Sequence, residues 1–235
     1  MQPIKLKMRL TKGEEIRFVS HLEYARALER AFRRAKLPVA YSEGFNPHMK
    51  LSLASALAVG TTSQGECAEV ELTEIRPLEE LVSAVSAALP PGIYLQKALL
   101  TEGPAPKLMA SVVGASYLVK MPFQGDRASL AQQVDDFLAL TELPYEKRSL
   151  KTKAVKTLDL RRLLCELVLV PMDESGMLVL TMKIAMPPEG TIKPLEALQV
   201  LAEKFQWPLA LERALVERLA LYECQKGEWS PMLGG

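Results

Sequence analysis

Two stretches near the start of the sequence decide the fold: Ile4-Lys5-Leu6-Lys7-Met8-Arg9-Leu10 and, ten residues later, Ser20-His21-Leu22-Glu23. Apolar and basic residues alternate in the first stretch, and this is the period of a half-buried β-strand. The second stretch has the spacing of a capping box, in which Ser20 and Glu23 each accept a hydrogen bond from the backbone N–H of the other. It predicts a helix from His21 to about Lys36, so the chain opens as a strand followed by a helix.

The patterns that follow predict two copies of a β-α-β-β-α-β unit. After the first helix we expect two strands around a turn at residues 60–65, a helix that starts behind Pro77, and a strand at residues 93–100. Beyond a linker at residues 101–106, the second copy is predicted to contain strands at residues 115–121, 163–170, 177–184 and 214–222, a turn at residues 173–176, and helices at residues 126–140 and 194–205.

This order predicts an α+β fold of two tandem ferredoxin-like modules, each with an antiparallel sheet. We expect module 1 at residues 1–102, module 2 at residues 112–224, and a flexible tail at residues 225–235. The repetition supports the prediction more strongly than any single element does.

The composition is that of an ordinary globular protein, with 49% hydrophobic residues, 24% charged residues and a net charge of +1. The three cysteines are far apart and lack Cys-x-x-Cys spacing, which excludes a disulfide framework and a cysteine-based metal site. The sequence has no apolar run of membrane-spanning length and no secretory signal. We therefore expect a cytoplasmic protein with reduced thiols and no membrane association.

Basic residues are concentrated near the start of the chain, where residues 1–50 hold eleven Lys and Arg against five Glu. On the first predicted helix, four arginines occupy one face, and the apolar face is predicted to consist of Leu22, Ala25, Leu28, Phe32 and Ala35. An arginine fork suits phosphate oxygens, so the stripe predicts a phosphate-backbone surface. The alternative is a solvated helix face with Glu23 and Glu29 as local partners.

A loop rich in turn-forming residues follows the helix, with the sequence Gly44-Phe45-Asn46-Pro47-His48-Met49-Lys50. Stackable rings, amide groups and cations occur together here, as single-stranded RNA recognition requires. A second basic segment precedes a strand of module 2, although such a charge run is also typical of a solvated loop. The predicted RNA-binding residues are Arg26, Arg30, Arg33, Arg34, Tyr41, Phe45, Asn46, His48, Lys50, Lys151, Lys153, Lys156 and Arg161.

The chain contains two histidines, His21 and His48. Because an imidazole titrates near neutrality, the pair could act as acid and base in RNA cleavage. The alternative is that both rings serve local packing and loop hydrogen bonds. Two histidines without clustered acidic residues or cysteines make a poor metal-ligand set. We predict neither a metal nor a cofactor, since phosphate-binding and dinucleotide-binding glycine motifs are also missing from the sequence.

Several motifs resemble those of the radical SAM-linked proteins, a family built on a domain of unknown function. They are the segment at residues 17–23, the arginine-rich segment at residues 26–35 and the segment at residues 37–48, with further matches at residues 51–54, Gly60, residues 65–66, Glu71, Lys156 and residues 159–164. The resemblance implies a protein encoded beside, or fused to, a B12-type radical SAM protein, often near genes for a ribonuclease and ribosomal proteins. Since this chain has no cysteine cluster for an iron–sulfur centre, radical chemistry would belong to a separate partner.

Three hypotheses follow. The first is a non-catalytic RNA-binding accessory that acts with a separate B12-type radical SAM enzyme in RNA or ribosome-related modification. The second is a metal-independent endoribonuclease that uses His21 and His48. The third is a protein-interaction module whose arginine stripe docks on an acidic partner.

Overall fold

The computed structural model describes residues 3–104, 106–148, 154–171 and 176–234. The predicted turn residues 173–175 and the predicted RNA-binding residues Lys151 and Lys153 lie outside these ranges. Within them, the chain forms a mixed α+β structure with six helices and a mostly antiparallel sheet. Among the described residues, no helix is both long enough and apolar enough to cross a membrane.

Two compact units divide the chain, one made of Met1–Val112 and Arg218–Gly235 and the other of Val113–Glu217. The first contains β1 (Ile4–Lys12), α1 (His21–Arg34), β2 (Leu51–Leu53), β3 (Thr61–Leu72), α2 (Leu78–Ala88), β4 (Leu95–Glu102) and α3 (Leu108–Ser111). The second contains β5 (Val112–Pro122), α4 (Arg127–Ala139), β6 (Pro144–Arg148), β7 (Val155–Asp159), α5 (Leu160–Leu163), β8 (Leu164–Val170), β9 (Met177–Ala185) and α6 (Pro194–Phe205). The final strands are β10 (Leu215–Gln225) and β11 (Glu228–Pro231).

Strand β1 is central in the first unit. It runs antiparallel to β3, with Ile4 opposite Leu72, and antiparallel to β4, with Ile4 opposite Glu102. The short strand β2 pairs with β3, placing Leu51 opposite Val70. Since the inward residues of β1 alternate with half-buried ones, the strand faces the core on one side, as its sequence predicts.

Helix α1 begins at His21, as the capping box predicts. The Glu23 N–H donates to Ser20 Oγ at 3.3 Å, and the Ser20 N–H donates to Glu23 Oε2 at 2.9 Å. The prediction that Leu22 faces the core is wrong, because Leu22 is 67% exposed while Tyr24 is buried. The Tyr24 hydroxyl donates to the Thr11 carbonyl at 2.9 Å, and a residue two positions earlier on a helix points away from that side.

The segment at residues 61–65, predicted as part of a turn, belongs to β3. It continues the ladder with β1 through the pair Lys12 and Ser63, after a register shift that follows Leu10. Its Thr and Ser residues are common in turns, and the sequence therefore favoured one. In the structure, pairing with the neighbouring strand β1 keeps the backbone extended.

In the second unit, β9 pairs with β5 and β8, and both pairs are antiparallel. Asp126 caps α4, accepting from the Ser129 N–H at 2.8 Å. The rings of Phe137 on α4 and Phe205 on α6 meet edge to face with centroids 6.5 Å apart. The hairpin of β6 and β7 was not predicted, because its lysines obscure the alternation of apolar residues.

Strand β11 lies in the segment predicted as a flexible tail. It pairs with β10, with Cys224 opposite Trp229. The rings of Tyr222 and Trp229 lie 5.9 Å apart, so an aromatic cross-strand contact orders this segment. The sequence of this segment is polar and rich in glycine, so it does not by itself indicate a strand. The strand forms because the segment folds back and pairs with β10.

The three free cysteines differ in burial, which leads to the first testable prediction. Cys67 is buried, Cys165 is half-buried and Cys224 is exposed. Burial raises the pKa of the Cys67 thiol to about 12, so the thiol stays protonated and unreactive in the folded protein. We expect iodoacetamide at neutral pH to alkylate Cys224 first and Cys67 only after unfolding, as measured by mass spectrometry of the digested protein. Rapid alkylation of Cys67 in the native protein would contradict this assignment.

Candidate functional site

Helix α1 presents its four arginines to solvent. Tyr24, Leu28, Ala31 and Phe32 form the buried side of the helix. The four arginines are exposed on the remaining surface: Arg26, Arg30, Arg33 and Arg34. The predicted stripe is therefore present as an exposed surface, although the four side chains have different partners.

Two of these arginines are bound to other parts of the first unit. Arg34 Nη2 donates to the Ala88 carbonyl at 2.6 Å, at the end of α2, where a cation is favoured by the helix dipole. Arg33 forms an ion pair with Glu29 at 3.5 Å. A hydrogen bond with Tyr41 raises the pKa of the Arg33 guanidinium. Arg33 therefore connects α1 to the loop that follows it.

The other two arginines line a groove beside α1. Arg26 and Arg30 lie at this groove with apolar residues of α1, of the segment before it and of the turn before β4, and the cavity volume is about 500 Å³. Within the described part of the chain, neither guanidinium forms a hydrogen bond or an ion pair, although the Glu23 carboxylate interacts electrostatically with Arg26. These two charges are available to a ligand.

The loop after α1 is a hairpin with an exposed tip. Tyr41 and Met49 form an antiparallel β-bridge, and the Ser42 N–H donates to the His48 carbonyl at 2.8 Å. Gly44 has a φ of +119°, which other residues rarely adopt. Met49 is buried and anchors the loop, whereas the Phe45 ring is fully exposed, with Asn46 and His48 also exposed. A phenyl ring held in solvent by an ordered hairpin can stack on a planar ligand.

Lys50 is placed directly after this loop, at the start of the pairing with β3. Its ammonium group forms an ion pair with Glu71 at 2.8 Å. Both side chains are partly exposed, so the pair contributes little to stability and can exchange for a phosphate.

His48 is not among the residues that line the grooves beside His21. His21 lines a second groove with Ala25, Glu29 and Leu51, and His48 lies three residues before Leu51. No hydrogen bond joins the two side chains in the ranges that the structure covers. The use of both histidines as an acid–base pair stays a prediction.

Lys156 and Arg161, the described candidates of the second basic segment, donate hydrogen bonds to backbone carbonyls of the protein. Lys156 Nζ donates to the Glu189 carbonyl. Arg161 donates from Nε to the Leu138 carbonyl and from Nη1 to the Leu164 carbonyl, each at 3.1 Å, and its guanidinium lies over the Phe137 ring. Arg161 thus stabilises the packing around α4, and its role in RNA binding stays a prediction.

Sequence reasoning missed a buried charged cluster in the first unit. Arg218 on β10 and Glu66 on β3 are almost completely buried, and the guanidinium donates to both carboxylate oxygens, with Nε to Oε1 at 2.8 Å. Arg218 Nη1 also donates to the Ser55 hydroxyl at 3.4 Å and to the Ala56 carbonyl at 3.3 Å. A charged residue at an inward position of a strand indicates a buried ion pair. The sequence could not identify the partner, because Glu66 and Arg218 are 152 positions apart.

Lys12 is a further buried cation near this cluster. Its ammonium group donates to the Arg17 carbonyl at 2.8 Å and to the Thr61 carbonyl at 3.2 Å. Burial lowers the pKa of Lys12, and the Glu66 charge opposes that effect. The cavity above Lys12, lined by Ser20 and His21, has a volume of about 10 Å³. That space accommodates one water molecule and is too small for a substrate.

Metal ligands are not clustered in the described parts of the chain. No group of three or more His, Cys, Asp or Glu side chains there has an arrangement that could hold a metal ion. The site that remains is the surface of α1 together with the loop after it.

Comparisons with known proteins give a family without an assigned activity. A family model described as "Uncharacterized protein conserved in bacteria (DUF2344)" matches residues 5–194. A search of the curated proteins finds no match. Among solved structures, the chain is similar to a protein of the "Crystal Structure of a Cbf5-Nop10-Gar1 Complex", with 10% identity and a TM-score of 0.48. That likeness covers 92% of this chain and 48% of the other, so the chain spans about half the length of that relative.

Proposed function

Since the chain belongs to the DUF2344 family of uncharacterized proteins conserved in bacteria, we propose that it is a non-catalytic RNA-binding accessory of a separate B12-type radical SAM enzyme. It presents RNA for a modification that the partner carries out. The observation that carries the RNA-binding part is the pair of exposed guanidiniums, Arg26 and Arg30, at the groove beside α1.

This surface combines the two features that unspecific single-stranded RNA binding requires. The unpaired guanidiniums of Arg26 and Arg30 suit phosphate oxygens, and the exposed ring of Phe45 suits a base. Asn46 and His48, which follow Phe45 in the loop, can hydrogen-bond to base edges. Lys50 adds a further cation once it exchanges Glu71 for a phosphate.

A tandem ferredoxin-like architecture is the fold that we propose for this role. In the first unit, the chain order of six elements and the strand order β4-β1-β3-β2, with antiparallel pairs throughout, support such a module. In the second unit, the antiparallel order β5-β9-β8 supports a related arrangement. We place the protein in the cytoplasm, where three free cysteines remain reduced.

The partner enzyme is implied by the sequence resemblance alone. Part of the motif residues that carry it lie in α1 and in the hairpin after it. The RNA surface and the partnership can therefore be tested separately.

The test of RNA binding is a fluorescence-anisotropy titration of the purified protein with labelled small RNA at about 50 mM and about 200 mM salt. We expect binding that weakens steeply with salt, because phosphate contacts release counterions. The same samples are run on a denaturing gel, where the RNA should remain intact. A matched single-stranded DNA serves as the control for the contribution of the 2′-hydroxyl groups.

Two other results of this titration would contradict the proposal. Discrete RNA fragments would replace the accessory by a ribonuclease, with His21→Ala and His48→Ala then tested one at a time. If no RNA binds at either salt concentration, the proposed function is wrong. The arginine stripe would then be assigned to an acidic protein partner, and capture that survives nuclease treatment would identify it.

A further inference from the structure

The groove beside α1 has a shape and a lining that the phosphate-binding role leaves unexplained. Its apolar wall is formed by Ile16, Val19, Ala27, Pro90 and Ile93, and its volume is about 500 Å³. This volume lies within the range of small-molecule sites, in which a mostly apolar wall carries a few polar groups. A surface that only attracts phosphates does not need an apolar recess.

The charged groups of the groove differ in whether they are already hydrogen-bonded within the protein. Glu23 is held in the capping box by the Ser20 N–H. Arg26 and Arg30 lie one helix turn apart along the same side of α1. The Glu23 carboxylate interacts electrostatically with Arg26, but neither arginine forms a hydrogen bond or an ion pair with another described residue. The groove thus offers an apolar recess beside two available cations, which suits a ligand with a flat, weakly polar body and an anionic group.

We propose that this groove holds one nucleotide of the bound RNA, with its base against Val19, Ala27 and Pro90 and its phosphate on Arg26 and Arg30. The inference rests on the proposed function and specifies how the RNA is held. Charge complementarity favours a phosphodiester over a purely apolar occupant, and the apolar wall favours a base over a bare anion. The groove shares α1 with Arg33, which contacts the hairpin, so one strand can follow the helix from the groove to Phe45.

The test fills the groove without changing its charge. Ala27→Phe places a ring in the recess, and Ala25→Phe places the same ring in the separate groove that His21 and Leu51 line, so the two variants are matched. We expect Ala27→Phe to weaken binding of a labelled single-stranded RNA about tenfold, the loss that accompanies one displaced base. The slope of log affinity against log salt should not change, because no charge is removed. Ala25→Phe should bind like the wild type.

The remaining outcomes overturn the inference in distinguishable ways. Unchanged RNA affinity in a folded Ala27→Phe protein, or an equal loss in Ala25→Phe, would remove the groove from the RNA site while leaving the RNA surface intact. Failure of the wild type to bind RNA would instead overturn the proposed function. Ala27→Leu, a smaller filling residue, replaces Ala27→Phe if circular dichroism shows that the latter is unfolded, and it should also weaken binding.

Free nucleotides distinguish the source of the ligand. Isothermal titration of the wild type with adenosine, guanosine, cytidine and uridine monophosphates should give only weak binding, which an RNA strand outcompetes. Tight binding of one free monophosphate that is lost in Ala27→Phe, with RNA affinity unchanged, would reassign the groove to a free nucleotide and overturn the RNA-based inference.

Discussion

Glu66→Gln is expected to lower the free energy of unfolding by about 3 kcal/mol or more, because it leaves the Arg218 guanidinium buried without its carboxylate. In a chain of this length, such a loss lowers the melting temperature by about 10 °C. The shape of the side chain is nearly unchanged, so the effect isolates the charge. Urea unfolding followed by circular dichroism gives the midpoint that measures it.

The control for this variant is an exposed ion pair in the same unit. Glu80 lies 3.8 Å from Arg76, and both side chains are more than a third exposed. Glu80→Gln should therefore change stability by no more than about 0.5 kcal/mol. The double variant Glu66→Leu with Arg218→Met should recover most of the loss, because a buried ion pair can be replaced by apolar residues of similar volume. Equal urea midpoints for Glu66→Gln and the wild type would show that the pair does not hold β10 to β3.

Arg26→Gln combined with Arg30→Gln is expected to weaken RNA binding about 100-fold at about 50 mM salt. Each phosphate contact with single-stranded RNA contributes about 0.7 to the slope of log affinity against log salt, which is close to a factor of ten per contact at that concentration. The slope should therefore fall by about 1.4. Anisotropy titrations at four salt concentrations measure both quantities in one series.

Arg34→Gln is the matched control on the same helix. Its guanidinium is already bound to the Ala88 carbonyl, so its loss should leave the salt slope close to that of the wild type. If the double variant keeps the wild-type slope, Arg26 and Arg30 do not contact phosphates. If Arg34→Gln lowers the slope by the same amount, the surface acts as a diffuse charge and not through the two available arginines.

Local patterns predicted the elements that depend on near neighbours in sequence. The alternation of residues 4–10 predicts β1, and the spacing of Ser20 and Glu23 predicts where α1 begins, because each signal is complete within a few residues. The arginine stripe was also predictable, since a helix places residues three and four apart on one side. These signals do not require knowledge of the rest of the chain.

The sequence therefore determined by itself the order of most strands and helices, the exposed arginines and the exposed loop after α1. Tertiary structure alone decided that Arg26 and Arg30 are available while Arg34 and Arg161 are bound to carbonyls. It also decided that Glu66 meets Arg218. The physical reason is range: propensity and periodicity act over a few residues, whereas a side chain's partners are set by strand register and by packing between distant segments.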